Sequence, residues 1–508
     1  MEDNALSFLC NSNFFTQKPI VHDDDRLIMP GGIFVLHQKN RSFFTSAVKS
    51  GLRFIFLWQD CIDDIKAYKS VISLCCTSED IINLPEDKIG AIVIPVNYTI
   101  QDVLSNFYGE VDIRPVAITG TNGKTSVTTF VRQILTLANH RCASIEAGNI
   151  VIGNNVNMKL GHGLTTPSVY DMYKMLYISK NTYKVKSFIF ETSSHGILQG
   201  RIDGIKVKIA AFTNLSQDHL DYHGTMDGYF NAKKLLFSKH LNSNGVAVLN
   251  ADIPQFDELE KICKDRNIKI FSYGFKGKDI RMVSSNLTPY GQMLHLNING
   301  KNYNLKTALS GSFQCNNLAC AIGVSCIATN MSILNNLENI SVNLKAPIGR
   351  MQRIMPQMGT KLQIYVDYAH TPDAFLTIFA DANKIKKNRL IVVFGCGGDR
   401  DLSKRKIMGK IASELADLIF LTDDNPRDED PNAIKQHIVE GVAKENLSKV
   451  NMSGGRKQAI YNAINECKDG DVVLILGKGN EDYQIVNNVR IPSNDIEIAL
   501  KSLESVTL

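Results

Sequence analysis

At 508 residues the chain is too long for one ordinary hydrophobic core, and its length corresponds to two to four domains. With 44% hydrophobic and 21% charged residues it reads as a globular protein, and a net charge of +5 without any Lys/Arg run gives no electrostatic case for nucleic acid. The cysteines, 11 in number, include no CxxC pair; an odd count without a disulfide framework or metal spacing reads as reduced thiols in a cytosol.

The N-terminal stretch MEDNALSFLC is acidic and lacks the basic region and long apolar core of a signal peptide. No apolar run approaches the roughly 18 residues that span a bilayer, so no membrane insertion is expected. Up to about residue 112, short β-rich runs (GGIFVL, GLRFIFLW, AIVIPV) alternate with helical stretches, as in a small α/β domain without a phosphate motif.

From Pro115 apolar strands recur, each ending in a polar motif: VAI before TGTNGKTS, SFIF before ETSSHG, KIAAF before TNLSQDHLDYHG. Buried strands alternating with helix-length segments predict a mostly parallel sheet with its ligands beyond the strands' carboxyl ends. In ITGTNGKTSVTTF the usual P-loop glycine five residues before Gly123 is replaced by Ile118. Gly120 and Gly123 still let the backbone turn its amides inward, and the following helix adds its positive end. Lys124 places a compact charge among phosphates, and the Thr125 hydroxyl suits Mg²⁺. Glu191 ends the second strand, where a carboxylate holds magnesium beside a phosphate loop. Asn214, Asp218, His219, Asp221 and His223 crowd the third strand's loop; no cysteine accompanies them, and the neighbouring phosphate loop favours magnesium over zinc.

A further α/β unit begins near KAPIGRMQRI. Its strands end in DYAHTPDA, GCGGDRD, TDDNPRDEDP and GKGNEDYQ.

TGTNGKTS, ETSSHG, TNLSQDHLDYHGTMDGYFNAKKLLF, DYAHTPDA, GCGGDRD, DDNPRDEDP and GKGNEDYQ stand in the order found in the Mur ligases, and from about residue 112 to 485 the chain resembles their diaminopimelate-adding type. The resemblance implies an α/β fold of three domains. A small N-terminal α/β domain (1–112) binds a UDP-sugar. A central mononucleotide-binding, P-loop-like, mostly parallel sheet (113–345) binds ATP, and a C-terminal Rossmann-like α/β domain (346–508) binds the amino acid. It also implies an ATP-dependent carbon–nitrogen ligase of peptidoglycan precursor synthesis, monomeric and cytoplasmic. Such an enzyme adds meso-2,6-diaminopimelate to UDP-N-acetylmuramoyl-L-alanyl-D-glutamate through an acyl phosphate. The alternatives are a lysine-adding Mur ligase and a folylpolyglutamate-synthetase-like ligase, which shares the GTNGK loop.

By the same resemblance Gly120, Thr121, Asn122, Gly123, Lys124, Thr125 and Ser126 cradle ATP. Two Mg²⁺ ions are held by Thr125, Glu191, His219 and Lys233, the last carrying a carbamate from CO₂; Lys124, Lys233 and His219 serve catalysis. From the residues alone, Lys233 beside Lys234 reads as a solvated helix face. Asp25, Thr165, Thr166, Ser193, Gln199 and Arg201 fall where the family contacts its nucleotide-sugar. Leu164 stands in place of a frequent Asn, and Asp24-Asp25-Arg26 in place of Asp-Ser-Arg. Arg400, Asp424, Asn425, Pro426, Arg427, Gly477 and Glu481 match the amino-acid site. Arg427 marks the diaminopimelate-adding enzymes, because a guanidinium grips the second carboxylate in a two-pronged geometry that Lys cannot copy. Asn480 replaces the family's usual His.

Overall fold

The computed structural model describes residues 5–6, 9, 18–27, 30–95, 97–109, 112–146, 149–154, 156–159, 164–288, 290–354, 362–452 and 454–506. They fall into two compact units, one of Met1–Ala117, Arg141–Lys208 and Leu235–Gly245, the other of Ile118–His140, Ile209–Lys234 and Val246–Leu508.

In the first unit five parallel strands, β1 (Val21–His22), β2 (Ile33–Leu36), β3 (Phe54–Trp58), β4 (Ile72–Leu74) and β5 (Ile89–Ile94), lie in the order β1-β2-β3-β5-β4. Phe34, Leu36, Ile55, Leu57 and Ala91 pack one face of this sheet. The same unit holds the start of β6 (Arg114–Thr119), then β7 (Cys142–Glu146), β8 (Asn149–Ile152), β9 (Val156–Lys159) and β10 (Ser187–Glu191). β10 and β7 are parallel, whereas β7, β8 and β9 form an antiparallel meander. All five residues of β10 are buried, as expected of a strand covered on both faces.

In the second unit, the end of β6 and strands β11 (Val207–Phe212), β12 (Leu241–Asn250), β13 (Lys269–Gly274), β14 (Ile280–Thr288), β15 (Gly291–Ile298) and β16 (Lys301–Thr307) run in the order β16-β15-β14-β13-β12-β11-β6. The β14–β16 antiparallel meander departs from the parallel pattern predicted. Its faces are half exposed, so it lacks the continuous apolar runs that mark the parallel strands. The Asn299-Gly300 turn, both residues at positive φ, is the hairpin signal it offers.

A second sheet follows in the same unit, with β17 (Gln352–Ile354), β18 (Gln363–Asp367), β19 (Leu390–Phe394), β20 (Leu418–Leu421), β21 (Val450–Met452) and β22 (Val472–Leu476) in the order β17-β18-β22-β19-β20-β21. All pairs are parallel except β17–β18. Alternate residues separate onto two cores: Tyr365, Val392, Phe394, Leu474 and Leu476 on one face, Ile364, Val366, Ile391, Val393, Val473 and Ile475 on the other. A hairpin of β23 (Tyr483–Val486) and β24 (Val489–Pro492) succeeds it.

The helices that position functional residues are α1 (Lys124–Leu137), α2 (Val169–Asn181), α3 (Ser194–Leu198), α4 (Met226–Leu235), α5 (Phe313–Ala328) and α6 (Pro372–Ile385). No helix of the described residues is long and apolar enough to cross a membrane.

Candidate functional site

β6 runs into a turn at Gly120, whose φ is +143° and where a Cβ would lie 1.9 Å from Thr213 Oγ1. Gly123, at φ +87°, caps the start of α1, and a Cβ there would lie 2.2 Å from Asn317 Oδ1. Neither position has room for a side chain. The loop is strapped from the end of β11. Thr213 Oγ1 donates to Asn122 O at 2.6 Å, Asn122 N donates to Asn214 Oδ1 at 2.9 Å, and Thr121 N donates to Asn214 O at 2.9 Å. Thr121 and Ser126 are buried, Thr125 is half-buried, and Asn122 is exposed. Lys124 Nζ folds back over the loop, donating to Gly120 O (3.0 Å) and Thr121 O (2.7 Å).

Gly120→Ala is therefore expected to cost on the order of 1–3 kcal/mol in backbone strain and to weaken nucleotide binding at least about tenfold. Titration calorimetry with ADP on the full chain checks this; wild-type affinity in the variant would mean that the loop tolerates displacement.

Lys233, on α4, overturns its reading as a solvated residue: it is 1% exposed, whereas Lys234 reaches outward to Glu258 at 2.5 Å. Lys233 Nζ donates to Gly120 O at 2.8 Å and sits 4.4 Å from the Tyr229 ring centroid. Burial, and then the charge of Lys124, push its amine well below the ordinary lysine range, against the opposing pull of Asp218. His219 sits at φ +53°, half exposed, with Nε2 3.5 Å from Asp218 Oδ2. His223 turns its ring onto Tyr229 at 5.0 Å, and Asp221 is exposed. Among the described residues no three His, Cys, Asp or Glu side chains group as a metal site.

Beside the phosphate loop, two residues escaped the sequence reading. Asn317, on α5, packs on Gly123 and donates through Nδ2 to Gln314 Oε1 at 2.9 Å. Gln314 is fully buried, and its Nε2 has no partner among the described residues. Their signal, buried amides at the start of an apolar helix in SFQCNNLACA, is visible only once burial is known.

The loops of the second sheet converge on a separate polar cluster. Arg427, at φ +55°, is pinned by its own backbone: its N–H donates to Ile485 O (2.9 Å) and its carbonyl accepts from Asn487 N (2.8 Å). Its Nη1 donates to Gly398 O (2.8 Å) and Asn425 O (3.4 Å). Arg400 is exposed, and a Cβ on Gly397 would lie 3.0 Å from Arg427 Nη1 and 3.8 Å from Arg400 Cγ, so both arginines border that glycine. The Pro426 carbonyl closes on Gly398, and the Asp424 carboxylate on Gly477 (φ +112°).

Asn425 Nδ2 donates to Glu481 Oε2 at 2.9 Å. Lys478, fully buried and unremarked in the sequence, donates to Glu481 Oε2 at 2.7 Å and Asn425 Oδ1 at 3.2 Å. Glu481 therefore already answers one cation before any amino acid arrives. Asp367 accepts from Met351 N (2.6 Å) and Ala369 N (2.7 Å), and burial pushes its carboxyl up to about 6.

In the first unit Thr166, Ser193, Gln199 and Arg201 form one network. Ser193 N donates to Thr166 Oγ1 (2.9 Å), and Arg201 donates to Thr166 O (2.7 Å) and Gln199 Oε1 (2.5 Å). Ser193 Oγ caps α3 by accepting from Gly196 N at 3.0 Å. Thr165 and Leu164 are exposed. Glu191 is buried at the end of β10. The Asp25 side chain lies outside the described residues. Its neighbour Asp24 pairs with Arg26 at 2.6 Å, so that arginine is already partly neutralised. Beside them His22 lies 3.3 Å from Asp23 Oδ1 and 3.8 Å from Asp171 Oδ2 of α2. Burial disfavours its charge, but the two carboxylates outweigh it and push the imidazole up to about 9.

The Mur ligase middle domain model matches residues 118–325, and the Mur ligase glutamate ligase domain model matches residues 349–479. UDP-N-acetylmuramoyl-L-alanyl-D-glutamate–2,6-diaminopimelate ligase of Rickettsia bellii (strain RML369-C) is 39% identical over 412 residues, 80% of this chain and 84% of that protein. The ligase of the same name from Caulobacter vibrioides is 40% identical over 407 residues, 79% of this chain and 81% of that protein. A solved structure of a ligase with this name superposes with a TM-score of 0.64 at 28% identity, covering 98% of this chain and 97% of that one.

Proposed function

The chain belongs to the Mur ligase family, in its diaminopimelate-adding branch, and from that premise we infer how its residues divide the reaction. The enzyme adds 2,6-diaminopimelate to UDP-N-acetylmuramoyl-L-alanyl-D-glutamate at the expense of ATP, in peptidoglycan precursor synthesis. The observation that supports our division of labour best is the Lys233 amine held on the carbonyl of Gly120, where burial disfavours its charge.

In the proposed sequence a carboxylate oxygen of the nucleotide-sugar attacks the γ-phosphorus of ATP, and the bond to ADP breaks. The amine of diaminopimelate then attacks the acyl carbon, loses a proton, and expels phosphate. The first step brings two anions together, so positive charge must be fixed in advance. Lys124 and the positive N-terminal end of α1 supply it from the chain. Thr125, Glu191, His219 and a carbamate on Lys233 are the proposed magnesium ligands, and Mg²⁺, when bound, adds charge stabilisation on the phosphoryl oxygens. A neutral amine is what CO₂ requires: the nitrogen bonds to carbon, one proton leaves, and the resulting anion faces Lys124. Thr166, Ser193, Gln199 and Arg201 hold the muramoyl-peptide part, with Asp25 and Thr165 assigned to the same substrate. Arg427 and Arg400 receive the far carboxylate of the amino acid within a pocket completed by Asp424, Asn425, Pro426, Gly477 and Glu481. Domains at 1–112, 113–345 and 346–508, a monomeric state and a cytoplasmic location belong to the same reading.

The test is a product assay in which ATP and UDP-muramoyl dipeptide are supplied with diaminopimelate or with lysine, and the nucleotide product is weighed by mass spectrometry. Addition of diaminopimelate, with lysine at least about tenfold slower, is expected from one charge-assisted contact. Equal addition of both amino acids would reassign the chain to the lysine-adding type.

A further inference from the structure

The segment Ser310–Phe313 leads from the meander into α5, and each of its four residues engages elements of, or packed on, the second sheet. Ser310 bonds the Tyr365 hydroxyl of β18, and Gly311 lies against Met351, whose Cγ would be 3.2 Å from a Cβ there. Ser312 N donates to Asp381 Oδ2 of α6 at 2.6 Å, and Phe313 packs on the core that contains Phe375 and Phe379. The segment's own fold is set from behind by Gln292 Nε2, which donates to Leu309 O (3.1 Å) and Gly311 O (2.7 Å).

Asp381 is the charged member of this joint. It is 1% exposed, and its nearest cation, Lys384 Nζ, is 3.7 Å away on a mostly exposed side chain. A carboxylate buried this far needs a strong partner. Its partner is the N-terminus of α5, a helix of 16 residues, whose own N-cap Ser312 contributes no side-chain cap. Asp381 supplies the missing acceptor from another helix and adds a negative charge at the helix's positive end. Five residues further on, roughly 7–8 Å along the axis, Asn317 rests on Gly123, the cap of the phosphate loop's helix.

We propose that Asp381 is a positioning residue: by capping α5 from α6 it holds Asn317 against Gly123, and so keeps the phosphate loop in its nucleotide-binding geometry. The proposal rests on reading the Lys124 loop as the nucleotide site. Nothing in the sequence motifs points to Asp381, which lies past the end of DYAHTPDA on an ordinary helix face.

The experiment measures ADP affinity of the full chain by calorimetry, together with KM for ATP and for diaminopimelate. Asp381→Ala is expected to weaken ADP binding and raise the ATP KM about tenfold, with the diaminopimelate KM changed less than about threefold. Ser312→Pro removes the donor while keeping φ, which is already −59°. It should give the same split, and the double variant no more than either alone. If Asp381→Ala fails to fold, Ser312→Pro decides by the same criterion. A lower melting temperature with wild-type ADP affinity in the folded variants would overturn the proposal and leave a purely structural cap. Lys124→Ala is the control: if it too binds ADP as wild type does, the nucleotide-site reading itself fails.

Discussion

Lys233→Ala is expected to lower turnover by at least about a thousandfold, roughly 4 kcal/mol of transition-state stabilisation, while ADP still binds. The argument starts from burial. Burial at 1% exposure and the facing charge of Lys124 disfavour an ammonium 2.8 Å from Gly120 O, and so favour the neutral amine. A neutral amine in a polar pocket beside a second lysine is poised to accept CO₂, and the carbamate converts the local charge from repulsive to attractive towards Lys124. The sign with pH follows from the lowered value. Below it the amine is protonated and the carbamate is lost; above it the carbamate forms. Activity should therefore fall on the acid side and recover with added bicarbonate. Formate supplied to Lys233→Ala places a free carboxylate in the vacated space and should return part of the rate. Full activity in the alanine variant, or a formate effect equal to that on the wild type, would remove Lys233 from the reaction.

That prediction also marks where the sequence stopped being sufficient. The parallel strands were readable because each is a short unbroken apolar run, and burial on both faces demands that pattern: SFIF, LIVVF and VVLIL are all buried. The loops after them were readable because glycines at positive φ and fixed polar spacing leave a local signature. Lys233 had no such signature. Whether a lysine on a helix faces water or core depends on what covers it, and here the cover is Tyr229 and the phosphate loop, more than a hundred residues away in sequence. Lys478, Gln314 and Asn317 were missed for the same reason: a buried polar side chain looks like an exposed one until its partner is placed. The β14–β16 meander was missed because β14 and β16, half exposed, dilute the apolar signal.

Arg427→Ala is expected to raise the KM for diaminopimelate by about one to two decades while leaving the KM for ATP within about threefold, the range that a charge-assisted contact of roughly 1.5–3 kcal/mol sets. Under the proposed assignment the arginine receives the carboxylate already fixed in place, not as a mobile surface residue. Its left-handed φ of +55° is held by hydrogen bonds to Ile485 and Asn487, and Nη1 is fixed on the carbonyls of Gly398 and Asn425. Among the described residues only Nη1 of the guanidinium is engaged in this way, leaving Nε and Nη2 as the two-pronged edge that matches a carboxylate. Little side-chain entropy is then lost on binding, and lysine as substrate would leave that edge without its anion. Arg427→Lys should rescue poorly, because a single ammonium cannot both hold the two carbonyls and pair a carboxylate. The variant must also be read against lysine as substrate: losing the arginine should narrow the gap between the two amino acids from the diaminopimelate side, with lysine addition nearly unchanged. Parallel losses for both amino acids would mean that Arg427 merely supports the loop. An ATP KM rising as steeply as the diaminopimelate KM would place the damage in the nucleotide site instead.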